Sequence, residues 1–115
     1  MYNEPLSFEV VPGSTADVRI FRLHGPITLA NLFDFQKTLN AGTETVTIVD
    51  FTESEYMDSA GLGSLLNYYV SAKRRGRFLR LVAVNYRVAE LLKLTSAHTL
   101  IKTYDSIEAA EAATG

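Results

Sequence analysis

Val46-Thr47-Ile48-Val49-Asp50-Phe51, followed after the loop 52–57 by Asp58-Ser59-Ala60-Gly61-Leu62-Gly63, is the stretch whose reading decides the fold. Its first half is a short apolar, β-branched run, the pattern of a strand buried in a parallel sheet. Beyond its second half, Leu62, Leu65, Leu66, Tyr69 and Val70 recur at i, i+3, i+4, i+7 and i+8. That stripe predicts a helix over about Ala60–Arg75 lying against the sheet. A further apolar run, Phe78–Val84, closes a βαβ unit, whose crossover is expected to be right-handed.

Outward from this unit the elements alternate. Leu6–Val11 and Asp17–Leu23 read as an antiparallel strand pair about Pro12-Gly13-Ser14-Thr15. Thr28 is placed to cap a helix over Leu29–Leu39, with Leu29, Leu32, Phe33, Gln36 and Leu39 at helical spacing and a stop near Asn40-Ala41-Gly42. A short helix around Arg87–Leu94, a last strand at Leu100–Tyr104 and a helix from Ser106, a cap, to Ala113 complete the chain. The expected class is α/β: a mixed sheet of about five strands with an antiparallel N-terminal edge, and about four helices mainly on one face. At 115 residues the chain is read as one domain, 1–115.

Ser59 falls where the apolar strand hands over to a glycine-softened helix. The first N–H groups of a helix lack internal partners, and the macrodipole places partial positive charge there. A phosphate on Ser59 is therefore tolerated by the chain itself. It would add about −1.5 to −2 charges and three acceptor oxygens, enough to disrupt a partner surface packed over the serine. The plainer reading is that Asp58 or Ser59 caps the helix, a role typically worth about 1 kcal/mol.

The segment Val46–Gly63 resembles the signature region of the STAS domain, named for sulfate transporters and anti-sigma factor antagonists. In the bacterial antagonists a strand ending in Asp leads to Asp-Ser-Ser/Thr-Gly-Leu-Gly, whose first serine is the phosphoacceptor; Ser59 aligns with it. Gly25-Pro26-Ile27-Thr28 resembles the turn after the second strand, and Arg87-Val88-Ala89-Glu90-Leu91-Leu92-Lys93-Leu94-Thr95 the short helix before the last. Two positions depart from the antagonist pattern. Ala60 stands where Ser or Thr is usual, and Thr28 where many antagonists carry an acidic residue.

Composition describes a folded module: 47% hydrophobic and 21% charged residues, with no cysteine. Disulfides, thiolate metal sites and cysteine nucleophiles are excluded, and a reducing compartment, the cytoplasm, is expected. Met1-Tyr2-Asn3-Glu4-Pro5 lacks a basic region followed by an apolar stretch, and no run approaches the roughly 18 to 20 residues of a membrane span, so neither export by that route nor membrane insertion is expected. A net charge of −2 argues against nucleic acid as a partner. The one dense basic group, Lys73-Arg74-Arg75-Gly76-Arg77 with Arg80 beyond, closes the helix that starts near Ser59, where cations complement the dipole and Gly76 takes the left-handed stop.

Catalytic patterns fail one by one. A hydrolase elbow needs glycine two residues on either side of its nucleophile, but position 57 is Met. His24 and His98 are the only histidines, and no spacing links either to Ser59. Gly61-Leu62-Gly63 begins like a dinucleotide loop, yet position 66 is Leu, and no Walker-type Gly-Lys-Ser/Thr occurs. No metal-ligand pattern stands out and no cofactor is implied. Asp50, Glu53, Glu55 and Asp58 form an acidic cluster expected to solvate the loop and to rim Ser59. Tyr68 either anchors a partner or completes the core.

The resemblance implies phosphorylation-controlled partner switching. Unphosphorylated, the surface of Thr28, Asp58, Ser59, Ala60, Gly61, Leu62 and Gly63 would bind an anti-sigma factor with serine-kinase activity and free its sigma factor. Phosphorylation at Ser59 would end binding, and a PP2C-type phosphatase would reset the cycle. The chain is then substrate and ligand, not enzyme. Ala60 and Thr28 motivate the alternative, a non-phosphorylated STAS scaffold or transport-associated module in which Ser59 serves only as a cap; a nucleotide-dependent enzyme on the same fold is a third reading.

Overall fold

The computed structural model describes residues 5–114; Met1–Glu4, part of the stretch read above for a leader, lie outside them. Five strands form one sheet in the order β1-β2-β3-β4-β5. The first pair, β1 (Ser7–Pro12) and β2 (Val18–His24), is antiparallel, running from Ser7↔His24 to Pro12↔Arg19. Three strands then join in parallel: β3 (Val46–Glu53), β4 (Phe78–Val82) and β5 (Lys102–Tyr104). The β-branched run of β3 is central, with Thr47, Ile48 and Val49 fully buried, as a strand covered on both faces requires.

Three helices connect the parallel strands: α1 (Phe33–Ala41), α2 (Ser59–Arg74) and α3 (Tyr86–Leu94). Their apolar sides meet Phe21, Leu23, Val49, Phe51, Leu79 and Leu81 in the main core. The last helix, α4 (Ile107–Ala112), lies on the other face, where Ala110 packs on Ile20, Ile48 and Val82. Ser106 caps it, accepting the Ala109 N–H at 3.1 Å. Among the described residues, no helix is long and apolar enough to cross a membrane.

One buried cation organises the lower half of the core. Arg19, on β2, donates to Thr47 Oγ1 (2.8 Å) and to the carbonyls of Thr38 (3.1 Å) and Leu39 (2.6 Å) in the last turn of α1. That last turn holds no basic residue of its own, so the sheet supplies the positive charge that complements the helix's carbonyl end. Tyr68 closes the group, its hydroxyl 3.3 Å from Thr47 Oγ1 and its ring beneath the guanidinium. Tyr68 is thus a core residue and not a surface anchor.

Several boundaries differ from the sequence expectation, each for a local reason. Helix α1 starts at Phe33, not Leu29, and Thr28 does not cap it. Asn31 takes the Thr28 N–H on Oδ1 and donates from Nδ2 to the Pro26 carbonyl, both at 2.9 Å, so residues 28–31 close a side-chain-bonded turn that competes with helix. The buried positions of that segment are Leu32, Phe35 and Leu39, while Leu29 and Phe33 face water. Strand β4 stops at Val82 because Ala83 turns left-handed at φ 58°, and a 3-10 turn at Ala97–Thr99 delays β5 to Lys102. Gly76 does adopt the left-handed stop after α2, at φ 70°. The basic group is divided: Lys73 and Arg74 are exposed, whereas Arg80 is buried against α4 and donates to the Ala110 carbonyl at 2.9 Å.

Candidate functional site

The loops leaving β2 and β3 are zipped to one another at the upper edge of the sheet. Gly25 N–H donates to Glu53 O, Ile27 N–H to Tyr56 O and Asp58 N–H to Ile27 O, at 3.0 to 3.1 Å. The ladder includes a parallel bridge between Ile27 and Met57, both buried. The first turn of α2 presses down on this bridge. A Cβ at Gly61 would lie 2.8 Å from Ile27 Cγ2 and from Met57 Cγ, so only hydrogen fits. Gly63, by contrast, meets nothing within 4 Å.

Asp58 is the N-cap of α2 and does two tasks with one carboxylate. Its Oδ1 accepts the Gly61 N–H at 2.9 Å and its Oδ2 accepts the Leu29 N–H at 3.0 Å. The cap is therefore Asp58, and Ser59, the first helical residue, is exposed. Ala60 is half-buried and packs toward the main core, Leu62 is buried, and Gly63 faces solvent. Thr28 is buried, and its hydroxyl has no hydrogen-bond partner among the described residues. Of the residues singled out from the sequence, Asp58, Ser59 and Gly63 are thus presented at the surface, while Thr28, Gly61 and Leu62 build the platform beneath.

A second cap binds α3 to this platform. Asn85 Oδ1 accepts the Val88 N–H at 3.0 Å, and its Nδ2 donates to the Glu55 carbonyl at 2.8 Å. Between α3 and the loop runs an open groove of about 540 Å³, with Tyr56, Ser59, Tyr86, Arg87, Glu90 and Leu94 along it. Large apolar residues stand out around the serine: Leu29 (76% exposed), whose N–H is bonded to Asp58, and Tyr86 (78%) and Leu94 (77%) along the groove; Phe33 (74%), at the start of α1, is exposed as well. Leu29 and Phe33 read from the sequence only as members of the helical spacing over Leu29–Leu39, and that reading does not single out Tyr86. Their signal was present, since Leu32 and Leu39 suffice with Phe35 for a buried stripe.

The acidic cluster does not form one rim. Asp58 borders the groove with Ser59. Asp50 accepts from Thr52 N–H and Oγ1, and together with Glu53, Glu9, Arg22 and His24 it borders a separate hollow. There His24 is held between Glu9 (Nε2, 3.3 Å) and Glu53 (Nδ1, 3.2 Å), and the hydrogen bond to Glu9, then that to Glu53, raises its pKa above the ordinary 6.5. His98 sits against the Leu92 carbonyl at 3.3 Å. Among the described residues, no group of three or more His, Cys, Asp or Glu is placed to hold a metal ion.

The geometry has relatives. The STAS domain model matches residues 10–110. A candidate anti-sigma factor antagonist of Thermotoga neapolitana is 35% identical over 76 residues, which span 66% of this chain and 66% of that protein. The crystal structure of a candidate anti-sigma factor antagonist of Thermotoga maritima superposes with a TM-score of 0.78 at 27% identity, covering 96% of this chain and 94% of that one. The phosphorylated form of the Bacillus cell fate determinant SpoIIAA superposes with a TM-score of 0.71 at 16% identity, over 91% and 97% of the two chains, a likeness of fold.

Proposed function

This chain belongs to the STAS domain family, and on that premise we propose that it is an anti-sigma factor antagonist whose partner binding is switched by phosphorylation of Ser59. The observation that carries the reading is an exposed serine on the first turn of α2, with Leu29 bonded to the neighbouring Asp58 and with Tyr86 and Leu94 along the groove it borders, all three more than 70% exposed. Large apolar side chains gathered at one edge mark an interaction surface. In the unmodified state an anti-sigma factor with serine-kinase activity would pack over this edge, with the Ser59 hydroxyl inside the contact.

Phosphorylation transfers the γ-phosphoryl group of ATP to Ser59 Oγ, with loss of the hydroxyl proton and departure of ADP. A PP2C-type phosphatase restores the hydroxyl by hydrolysis, releasing inorganic phosphate. The dianion sits at the positive end of α2, so the fold tolerates it. The partner surface does not: repulsion and unpaired desolvation at a packed contact cost several kcal/mol. In this cycle the chain is substrate and ligand, and the chemistry belongs to the kinase and the phosphatase.

The alternative of an unmodified scaffold assigns Ser59 to capping. Asp58 occupies that role, which leaves the Ser59 hydroxyl available for modification. Ala60 turns toward the core, so the hydroxyl usual there would not lie on the partner-facing side. The deciding experiment is retention of partners from native lysate by the unmodified chain, Ser59→Ala and Ser59→Asp. Ser59→Ala should bind and resist phosphorylation, and Ser59→Asp should bind nothing. Normal partner binding by Ser59→Asp would sink the switch.

A further inference from the structure

We propose that the end of the molecule opposite Ser59 carries a second site, a pocket for a small amphiphilic carboxylate: one anionic head on a compact apolar body. The pocket lies between the last turns of α2, the start of β4 and the segment leading into β5, and encloses about 300 Å³. That is the lower end of the range that small-ligand sites occupy. Its borders segregate chemically. Lys73, Arg77 and Lys102 supply three cations, while Tyr69, Phe78 and Leu100 supply apolar wall, and among the described residues no acidic one lines it. Phe78 (39% exposed) and Leu100 (46%) are left to water there, above a buried Leu79.

Two of the cations are held with donors to spare. Lys73 Nζ lies 5.8 Å from the centre of the Tyr69 ring. Arg77 directs Nη1 to the Gly42 carbonyl at 3.3 Å, one of the five N–H groups that a guanidinium carries. The carbonyl end of α2 would by itself repel an anion. Here two of its last carbonyls are already partnered, because Arg75 N–H and Arg77 N–H donate to Ala72 O and Gly76 N–H donates to Lys73 O. Attraction from three side chains then dominates at the mouth.

A purely acidic partner would use the cations and leave the apolar wall idle. A neutral apolar ligand would do the reverse. An amphiphilic carboxylate satisfies both, which is why the chemistry selects it in a chain of net charge −2. The site is independent of the Ser59 switch, being separated from it by the whole of α2, whose 16 residues span about 24 Å.

Amide chemical-shift mapping of the full chain with sodium octanoate tests the assignment. Saturable shifts confined to residues 69–79 and 99–102 are expected, with octanol and acetate each binding at least ~10-fold more weakly, since each supplies half of the complementarity. Lys73→Glu with Lys102→Glu, both exposed positions, should weaken octanoate by at least ~10-fold while the remaining spectrum stays that of the folded chain. Leu100→Asp should do the same from the apolar side. Absence of saturable shifts, shifts centred on the groove beside Ser59, octanol binding as tightly as octanoate, or displacement of octanoate by polyglutamate or by anionic vesicles in preference to soluble carboxylates would overturn it.

Discussion

Leu29 and Asp58, on different loops, are joined by a 3.0 Å hydrogen bond from the Leu29 N–H to the carboxylate that also caps α2. Asp58→Ala should therefore do more than remove a cap. We expect a stability loss of about 1 to 2 kcal/mol in urea unfolding, together with faster hydrogen exchange at the Leu29 amide. Asp58→Asn keeps one acceptor and should fall between. An unchanged Leu29 exchange rate in Asp58→Ala would show that the brace holds nothing.

The two glycines of the motif should respond in opposite directions. Gly61→Ala forces a methyl group against Ile27 and Met57 and should cost about 1 to 3 kcal/mol, as overpacking does. Gly63→Ala enters open space on an exposed helical turn and should stabilise by roughly 0.5 to 1 kcal/mol. Thermal unfolding of the pair reads the sign directly.

Phe33→Ser and Leu94→Ser separate surface from core. Both side chains are more than 70% exposed, so stability should stay within about 0.5 kcal/mol of the parent. Partner affinity should drop by at least ~10-fold in each if the apolar edge is the docking surface. Retained affinity in both would place the partner elsewhere on the molecule.

Arg19→Ala leaves the Thr38 and Leu39 carbonyls without their Arg19 donor inside the core, while Thr47 Oγ1 keeps Tyr68. At about 1 to 3 kcal/mol for each unsatisfied buried group, a loss of about 3 kcal/mol or more is expected. The loss should appear as early melting of the C-terminal turn of α1.

His24 gives a pH signature. Its imidazole is raised by Glu9 and then Glu53, so the folded state holds the proton more tightly than the unfolded one. This contribution is fully present below the ordinary value of 6.5, and it is lost as pH rises through the raised folded value. His24→Gln should flatten that part of the stability curve; an identical pH profile would show that the Glu9–His24–Glu53 bridge is inert.

The strands and the central helix were legible because burial enforces period and composition: β3 stands almost as read, and α2 is a helix as expected, but its buried stripe keeps Leu62 and Leu65 and then turns to Tyr68 and Ala72, leaving Leu66 and Tyr69 half-buried and Val70 exposed. The start of α1 was not. Leu29, Leu32, Phe33 and Leu39 satisfy helical spacing whether or not the first turn exists, and the decision rests on two hydrogen bonds of Asn31. At the site, Asp58 was legible as a cap through its place before Ser59. Its second bond, to a residue 29 positions earlier, depends on how β2 and β3 pair. Arg19 gave no signal, since an arginine in a strand reads as an outward position until the carbonyl end of α1 is placed over it. The acidic cluster misled because Asp50 and Asp58 are near in sequence while the sheet sends Asp50 toward Arg22.

The pairing of the 25–29 and 53–58 loops has a thermodynamic corollary. With Ile27, Met57 and Asp58 locked into a short ladder, the edge that bears Leu29 and Ser59 is ordered before any encounter, so little conformational entropy is left to lose on association. Were Ser59 phosphorylated as proposed, the same stiffness would deny the edge any way to fold the new charge out of contact, and its response is expected to be abrupt and not graded.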